Sequence, residues 1–170
     1  MKPPVEPMLA KVAEEIPEGP EWIYEPKWDG FRALVFRAGR DVFIQSRDLK
    51  PLDRYFPEVH EFCLAHLPDG CVVDGEIVIA SPGGLDFDAL QMRLHPAASR
   101  VTKLSKETPA QFVAFDLLAV DGQDIRSETQ DARRAKLEAL FARLEPPLHV
   151  TPVTRDRTVA AESANASLKA

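Results

Sequence analysis

The 170-residue sequence predicts an α+β domain, with mainly antiparallel sheets and flanking helices, on three observations. β-Branched and aromatic runs come in neighbouring pairs joined by short turns. Stretches of helical periodicity fall between and after them. The two do not alternate with the regularity that a doubly wound parallel sheet requires. At about 100–200 residues per domain the length suits one domain. Hydrophobic residues at 45% and charged residues at 28% exclude wholesale disorder and a membrane-embedded chain. With 27 acidic and 21 basic residues the net charge is −6, which excludes nucleic-acid binding through bulk positive charge but leaves room for a local basic groove.

The elements follow in order. Trp22 to Tyr24 reads as a short extended entry, and Phe31 to Arg37 with Asp41 to Ser46 as a hairpin around Ala38-Gly39. Between them, Pro26 biases Glu25 to extended geometry, and Gly30 supplies backbone angles closed to other residues, which predicts a shaped turn. Asp53 is placed to cap a helix carrying Phe56, Val59, Phe62, Cys63 and Leu67. Cys71 to Ala80 is a β-branched run interrupted by Asp74-Gly75-Glu76, followed by a turn at Pro82-Gly83-Gly84 and a short helix from Asp86 to Leu94. Phe112 to Val120 predicts a buried strand, with a hairpin turn at Asp121-Gly122. Leu137, Leu140, Phe141 and Leu144 give the stretch from Arg133 to Leu144 one apolar face, and Leu148 to Val153 reads as a last strand. Ala160 to Ala170 has little to bury.

Cys63 and Cys71 form neither a disulfide framework nor a zinc pattern, which points to a reducing compartment. The first residues carry prolines where a signal peptide would carry an apolar stretch, and the run from Phe112 to Val120 has about half the length of a membrane span. A cytoplasmic monomer without membrane contact is expected.

Three groups of residues bear on chemistry. Lys27 attacks an electrophile only as the free amine, so it needs cations or a metal nearby; Asp29, two residues on, favours the ammonium form and equally suits a structural ion pair. Asp74 and Glu76 interrupt one apolar strand and Asp116 another. A buried carboxylate needs a metal, a cation or donated hydrogen bonds, so these three predict either strand-end carboxylates that cap a turn or pair with a core arginine, or a polar cleft between sheets. Lys27, Arg32, Arg37, Arg40 and Arg47 cluster in sequence near the first hairpin, where arginine forks could hold phosphate and a solvated face is the plainer alternative. His60, His66, His95 and His149 lack metal-ligand spacing, and no histidine stands in a triad relation to Ser46.

These motifs join in one order. Lys27-Trp28-Asp29-Gly30-Phe31-Arg32 resembles the Lys-x-Asp-Gly-x-Arg signature of the covalent nucleotidyltransferases, the superfamily of ATP-dependent DNA ligases, RNA ligases and capping enzymes. Ser46-Arg47, Asp74-Gly75-Glu76 and Phe115-Asp116 then follow at the spacing of the family's next motifs, and the wording around Lys27 and Phe115 is similar to bacterial ATP-dependent DNA ligases. The resemblance implies the family's adenylation domain, ATP-grasp-like in fold, over residues 1–155. It implies that Lys27 attacks the α-phosphorus of ATP to form lysyl-AMP. Arg32 and Arg47 would contact ribose or phosphate, Glu76 the ribose or a Mg²⁺ ion, Phe115 the adenine and Glu25 its pocket. Asp29, Gly30, Asp74 and Asp116 would be supporting motif residues. ATP and Mg²⁺ are the implied cofactors, nicked double-stranded DNA the implied partner, and proteins of double-strand-break repair further partners, in DNA repair and recombination.

The family continues with Glu-Gly-x-x-x-Lys, Lys-x-Lys and an oligonucleotide-binding-fold domain, which these residues do not carry. Residues 156–170 therefore read as a divergent or truncated tail, and the domain as incomplete and impaired alone. Two alternatives stay open: an RNA-ligase or capping type of transferase, and a non-enzymatic remnant that binds ATP weakly.

Overall fold

The structure is a computed structural model that describes residues 1–167. It divides into two units, one of Met1–Pro7 with Asp29–Val150, the other of Met8–Trp28 with the chain from Thr151 onward.

A single sheet organises the first unit. Strands β1 (Phe31–Ala38) and β2 (Asp41–Ser46) form the expected hairpin, with Phe36 opposite Phe43 and the turn at Gly39-Arg40. β1 also pairs antiparallel with β3 (Val72–Val78), and β3 with β6 (Gln111–Val120). The short strands β4 (Ala80–Ser81) and β5 (Gly84–Leu85) pair only with each other. β7 (Gln123–Asp124) extends the order to β2-β1-β3-β6-β7, and β8 (Leu148–Val150) joins β6 in parallel.

Alternation along the strands gives the sheet two dressed faces. Ala33, Val35, Ile44, Val73, Ile77, Phe112 and Leu117 point into the main core. There they meet α1 (Pro57–His66) through Val59 and Cys63, α2 (Phe87–Gln91) through Leu90, and α4 (Gln130–Phe141) through Leu137 and Phe141. Leu34, Phe36, Val72, Leu118 and Ala119 form a smaller cluster against which Met1 and Val5 pack. The buried Gln45 side chain holds this N-terminal stretch: its Oε1 accepts from the Val5 N–H at 2.9 Å, and its Nε2 donates to the Val5 carbonyl at 2.7 Å.

Several local expectations are corrected. Asp53 does not cap α1: it opens a 3-10 turn over Asp53–Tyr55, and its carboxylate accepts from the Ile44 N–H instead. Phe62 stands 38% exposed, because α1 buries a narrower stripe than the spacing suggests. Asp74-Gly75-Glu76 does not interrupt β3, which runs through all three. The helix after Asp86, which is its N-cap, stops at Gln91 and leaves Leu94 exposed. α4 begins three residues earlier than its apolar pattern, at the Thr129 cap, and ends at Phe141. The helix α3 (Ala98–Glu107), with Val101 buried, had no expected counterpart.

In the second unit, Tyr24 and Thr154 exchange two backbone hydrogen bonds at 2.8 and 2.9 Å, and the last expected strand is reduced to that bridge beyond Val150. Helix α5 (Arg157–Ser167) follows, with Arg157 donating to the Ile16 carbonyl and paired to Glu18. Residues 168–170 of the expected tail lie outside the described residues. No described helix is long and apolar enough to cross a membrane.

Candidate active site

The middle of the sheet gathers the polar motif residues of the first unit. In the β1–β3 ladder Arg32 sits opposite Glu76, and two positions along β3 comes Asp74. Arg32 Nη2 donates to Asp74 Oδ2 at 2.7 Å and its Nε to Oδ1 at 3.1 Å, a two-pronged pair with the arginine side chain 18% exposed and the aspartate 4%. The guanidinium carbon also lies 5.3 Å from the Phe115 ring centre, a cation–π arrangement. Burial pulls the Arg32 guanidinium down, but the hydrogen bonds and charge of Asp74, with Glu76 and Asp116 near, more than offset this and leave it above its ordinary value. For Asp74 burial dominates, pushing its carboxyl above the usual range against the pull of Arg32, with Asp116 adding repulsion.

Phe115 reaches this cluster because β6 is bulged. Ala114 lies opposite Gly75 and Asp116 opposite Asp74, so Phe115 is an extra residue on β6 without a partner on β3. A second bulge places Leu118 between Leu117, opposite Val73, and Ala119, opposite Val72. Asp116 fulfils the core-arginine alternative: its carboxylate is held by Arg133 at 2.9 Å through both prongs.

Two glycines of the motifs are fixed by crowding. A Cβ on Gly30 would lie 2.5 Å from the Ile77 carbonyl oxygen and 3.2 Å from Glu76 Oε2; since Gly30 does not have a positive φ, close approach replaces the expected special backbone angles. On Gly75 a Cβ would meet the Val113 carbonyl oxygen at 2.5 Å.

The structure divides the expected basic cluster. Arg32 is half-buried in its pair, and Arg47, just beyond the Ala33–Ser46 register, is 66% exposed and 3.6 Å from Asp48. Arg37 and Arg40 sit at the opposite end of the hairpin, where Arg37 donates to the Gly39 carbonyl. Glu25 and Lys27 belong to the second unit, both exposed. Lys27 lies between two fixed points there, the Tyr24–Thr154 bridge and a 2.8 Å hydrogen bond from the Trp28 indole to the buried Thr151 hydroxyl. Asp29, exposed, opens the body of the first unit.

No three acidic, histidine or cysteine residues among those described come together as a metal cage. Both cysteines are buried and free, and burial pushes the Cys71 thiol up to about 12.

Sequence reasoning missed Arg133 and Arg93. Arg133 stands four residues before Leu137 on the apolar stripe of α4, and Arg93 follows Ala89 and Leu90 at helical spacing; a cation on an apolar stripe is the signal that was there to use. The fully buried Arg93 grips Glu58 at 2.7 and 2.8 Å and donates to the Tyr55 carbonyl, tying α1 to the end of α2.

A family model described as the ATP-dependent DNA ligase domain matches residues 7–170. DNA ligase C2 of Mycolicibacterium smegmatis is 53% identical over 154 residues, covering 91% of this chain and 43% of that protein. DNA ligase C of Mycobacterium tuberculosis is 51% identical over 162 residues, covering 93% of this chain and 45% of that protein. The chain thus spans less than half the length of these relatives. Among solved structures, a mycobacterial DNA ligase D complexed with ATP and MES is similar with a TM-score of 0.62 and 28% identity, over 85% of this chain and 44% of that one. With a family match covering nearly every residue, and a relative about half identical over most of the chain, this chain belongs to the ATP-dependent DNA ligase domain family.

Proposed function

We propose that this chain performs the nucleotide-loading step of an ATP-dependent DNA ligase. The observation that carries this is the convergence of Arg32, Asp74, Glu76 and the bulged Phe115 on three adjacent strands, directly after a lysine in motif position. The Phe115 ring, with Arg32 over it, offers an aromatic surface for adenine. Glu76, opposite Arg32, offers a carboxylate to the ribose hydroxyls. Arg47, exposed at the same end of the hairpin, offers its fork to phosphate, and Glu25 supports the base pocket.

In the step itself, the unprotonated Lys27 Nζ donates its lone pair to the α-phosphorus, and an N–P bond forms. The bond from that phosphorus to the bridging oxygen breaks, and its electrons leave with pyrophosphate; the extra amine proton passes to solvent. Were Mg²⁺ to accompany the nucleotide, Glu76 is the carboxylate that would help hold it, and the ion would supply positive charge against the phosphoryl oxygens. Charge on the phosphoryl oxygens is met by Arg32 and Arg47. In the complete ligase the AMP passes to the 5′-phosphate of nicked duplex DNA, and the 3′-hydroxyl displaces it, as DNA repair and recombination require. A cytoplasmic setting agrees with the two free thiols.

Incubation with α-labelled ATP and Mg²⁺ tests the reading. The expected outcome is an acid-labile label on the protein that Lys27→Ala abolishes and GTP competes for poorly; label persisting in that variant refutes the assignment. Competition by GTP equal to that by ATP would favour a capping-type transferase. Thermal stabilisation by ATP with no label would favour a binding remnant.

A further inference from the structure

Phe115 has no ladder partner on β3 to set its backbone angles, so something else must hold the bulge. On its downstream side that support is Asp116. Asp116 Oδ1 accepts from the Leu117 N–H at 2.8 Å and from Arg133 Nε at 2.9 Å, and Oδ2 accepts from Arg133 Nη2 at 2.9 Å. Arg133 also donates to the approach and first residue of its own helix: Nη1 to the Glu128 carbonyl at 2.7 Å and Nη2 to Gln130 Oε1 at 2.6 Å. Asp116 is 8% exposed and Arg133 9%, so the pair works where water competes little. The first turn of α4 is thereby bolted to the peptide that follows Phe115. The ring itself lies against the half-buried Arg32, which is held by Asp74.

We propose that Asp116 and Arg133 are positioning residues that hold the Phe115 ring for the adenine base. The inference rests on the adenylation reading above and adds to it: the pair controls recognition of the base and leaves recognition of the polyphosphate alone. A planar fork gripping both carboxylate oxygens fixes direction as well as distance, which a single contact would not.

The test uses the full chain and the double variant Asp116→Asn/Arg133→Gln. Both charges go together, so neither is left buried and unpaired, and amide hydrogen bonding is retained. The dissociation constant for ATP is expected to rise about tenfold, the scale of one base-on-aromatic stack, while that for inorganic tripolyphosphate stays within about twofold. Arg133→Lys, which keeps the charge and loses the fork, is expected to fall between, and it serves as the test should the double variant fail to fold. In the nucleotide-free protein, ¹³C-labelled phenylalanine rings give the second readout: the Phe115 signals, assigned with Phe115→Leu, should shift and broaden while those of the other phenylalanines hold. Equal weakening of ATP and tripolyphosphate, or an unmoved Phe115 signal, overturns the proposal. If the wild-type chain binds no ATP, the adenylation reading fails by itself, and the ring signals alone decide whether the pair positions Phe115.

Discussion

At Gly75 the sheet has no room for a single methyl group. The Cβ of an alanine would lie 2.5 Å from the Val113 carbonyl oxygen and 2.6 Å from the Phe112 ring, both in buried residues. Gly75→Ala is expected to cost about 2–3 kcal/mol in urea unfolding, whereas Gly83→Ala, with its nearest neighbour at 4.0 Å, should cost close to nothing. Equal costs at the two positions would contradict the packing described. The same crowding explains why single residues were legible in part. Lys27, Asp29, Gly30 and Arg32 stood out by spacing, but Gly30 is required by the Ile77 carbonyl across the ladder, a contact that no local pattern contains. Asp74 and Asp116 stood out as charges in apolar runs; their partners, Arg32 and Arg133, lie 42 and 17 residues away, beyond the reach of periodicity.

Strands were easier to read than helices, for a physical reason visible in particular elements. β1, β2 and β6 alternate or run apolar over their full length, so their limits came out within a residue or two. α3 buries only Val101 and is polar on the whole, so although its few apolar residues fall on one face they are too sparse to stand out as an apolar run. The break expected in β3 was absent because Asp74 is paired across the sheet instead of being expelled into a loop. The parallel strand β8 carries a titrating group: His149 shares a 2.7 Å contact with Gln111 Oε1, and burial holds its imidazole below the ordinary histidine value. The unfolded chain therefore takes up the proton more readily than the folded one. Stability should decline as pH drops from the unfolded value near 6.5 towards the lower folded value, and then level off. His149→Gln should flatten that decline in denaturation series run between neutral and mildly acid pH; an unchanged slope would show that the ring does not contribute.

Over the whole molecule, the N-terminal stretch covers the second face of the sheet. Removing residues 1–7 uncovers Leu34, Phe36, Val72 and Leu118, and strips Gln45 of both its partners. A loss of about 2–4 kcal/mol and a melting temperature lower by about 5–10 °C are expected, read by calorimetry. No change in melting temperature would mean that these residues do not stabilise the fold.

The second unit is made from two stretches that the first unit separates by about 120 residues of chain, and bringing such distant ends together in an unfolded polymer costs entropy that a folded spacer has already spent. The dependence between the units is therefore one-way: melting the sheet frees both halves of the second unit at once, while the Tyr24–Thr154 bridge can part with the sheet intact. Lys27, the proposed nucleophile, is thus carried by the portion of the protein expected to assemble last and to come loose first.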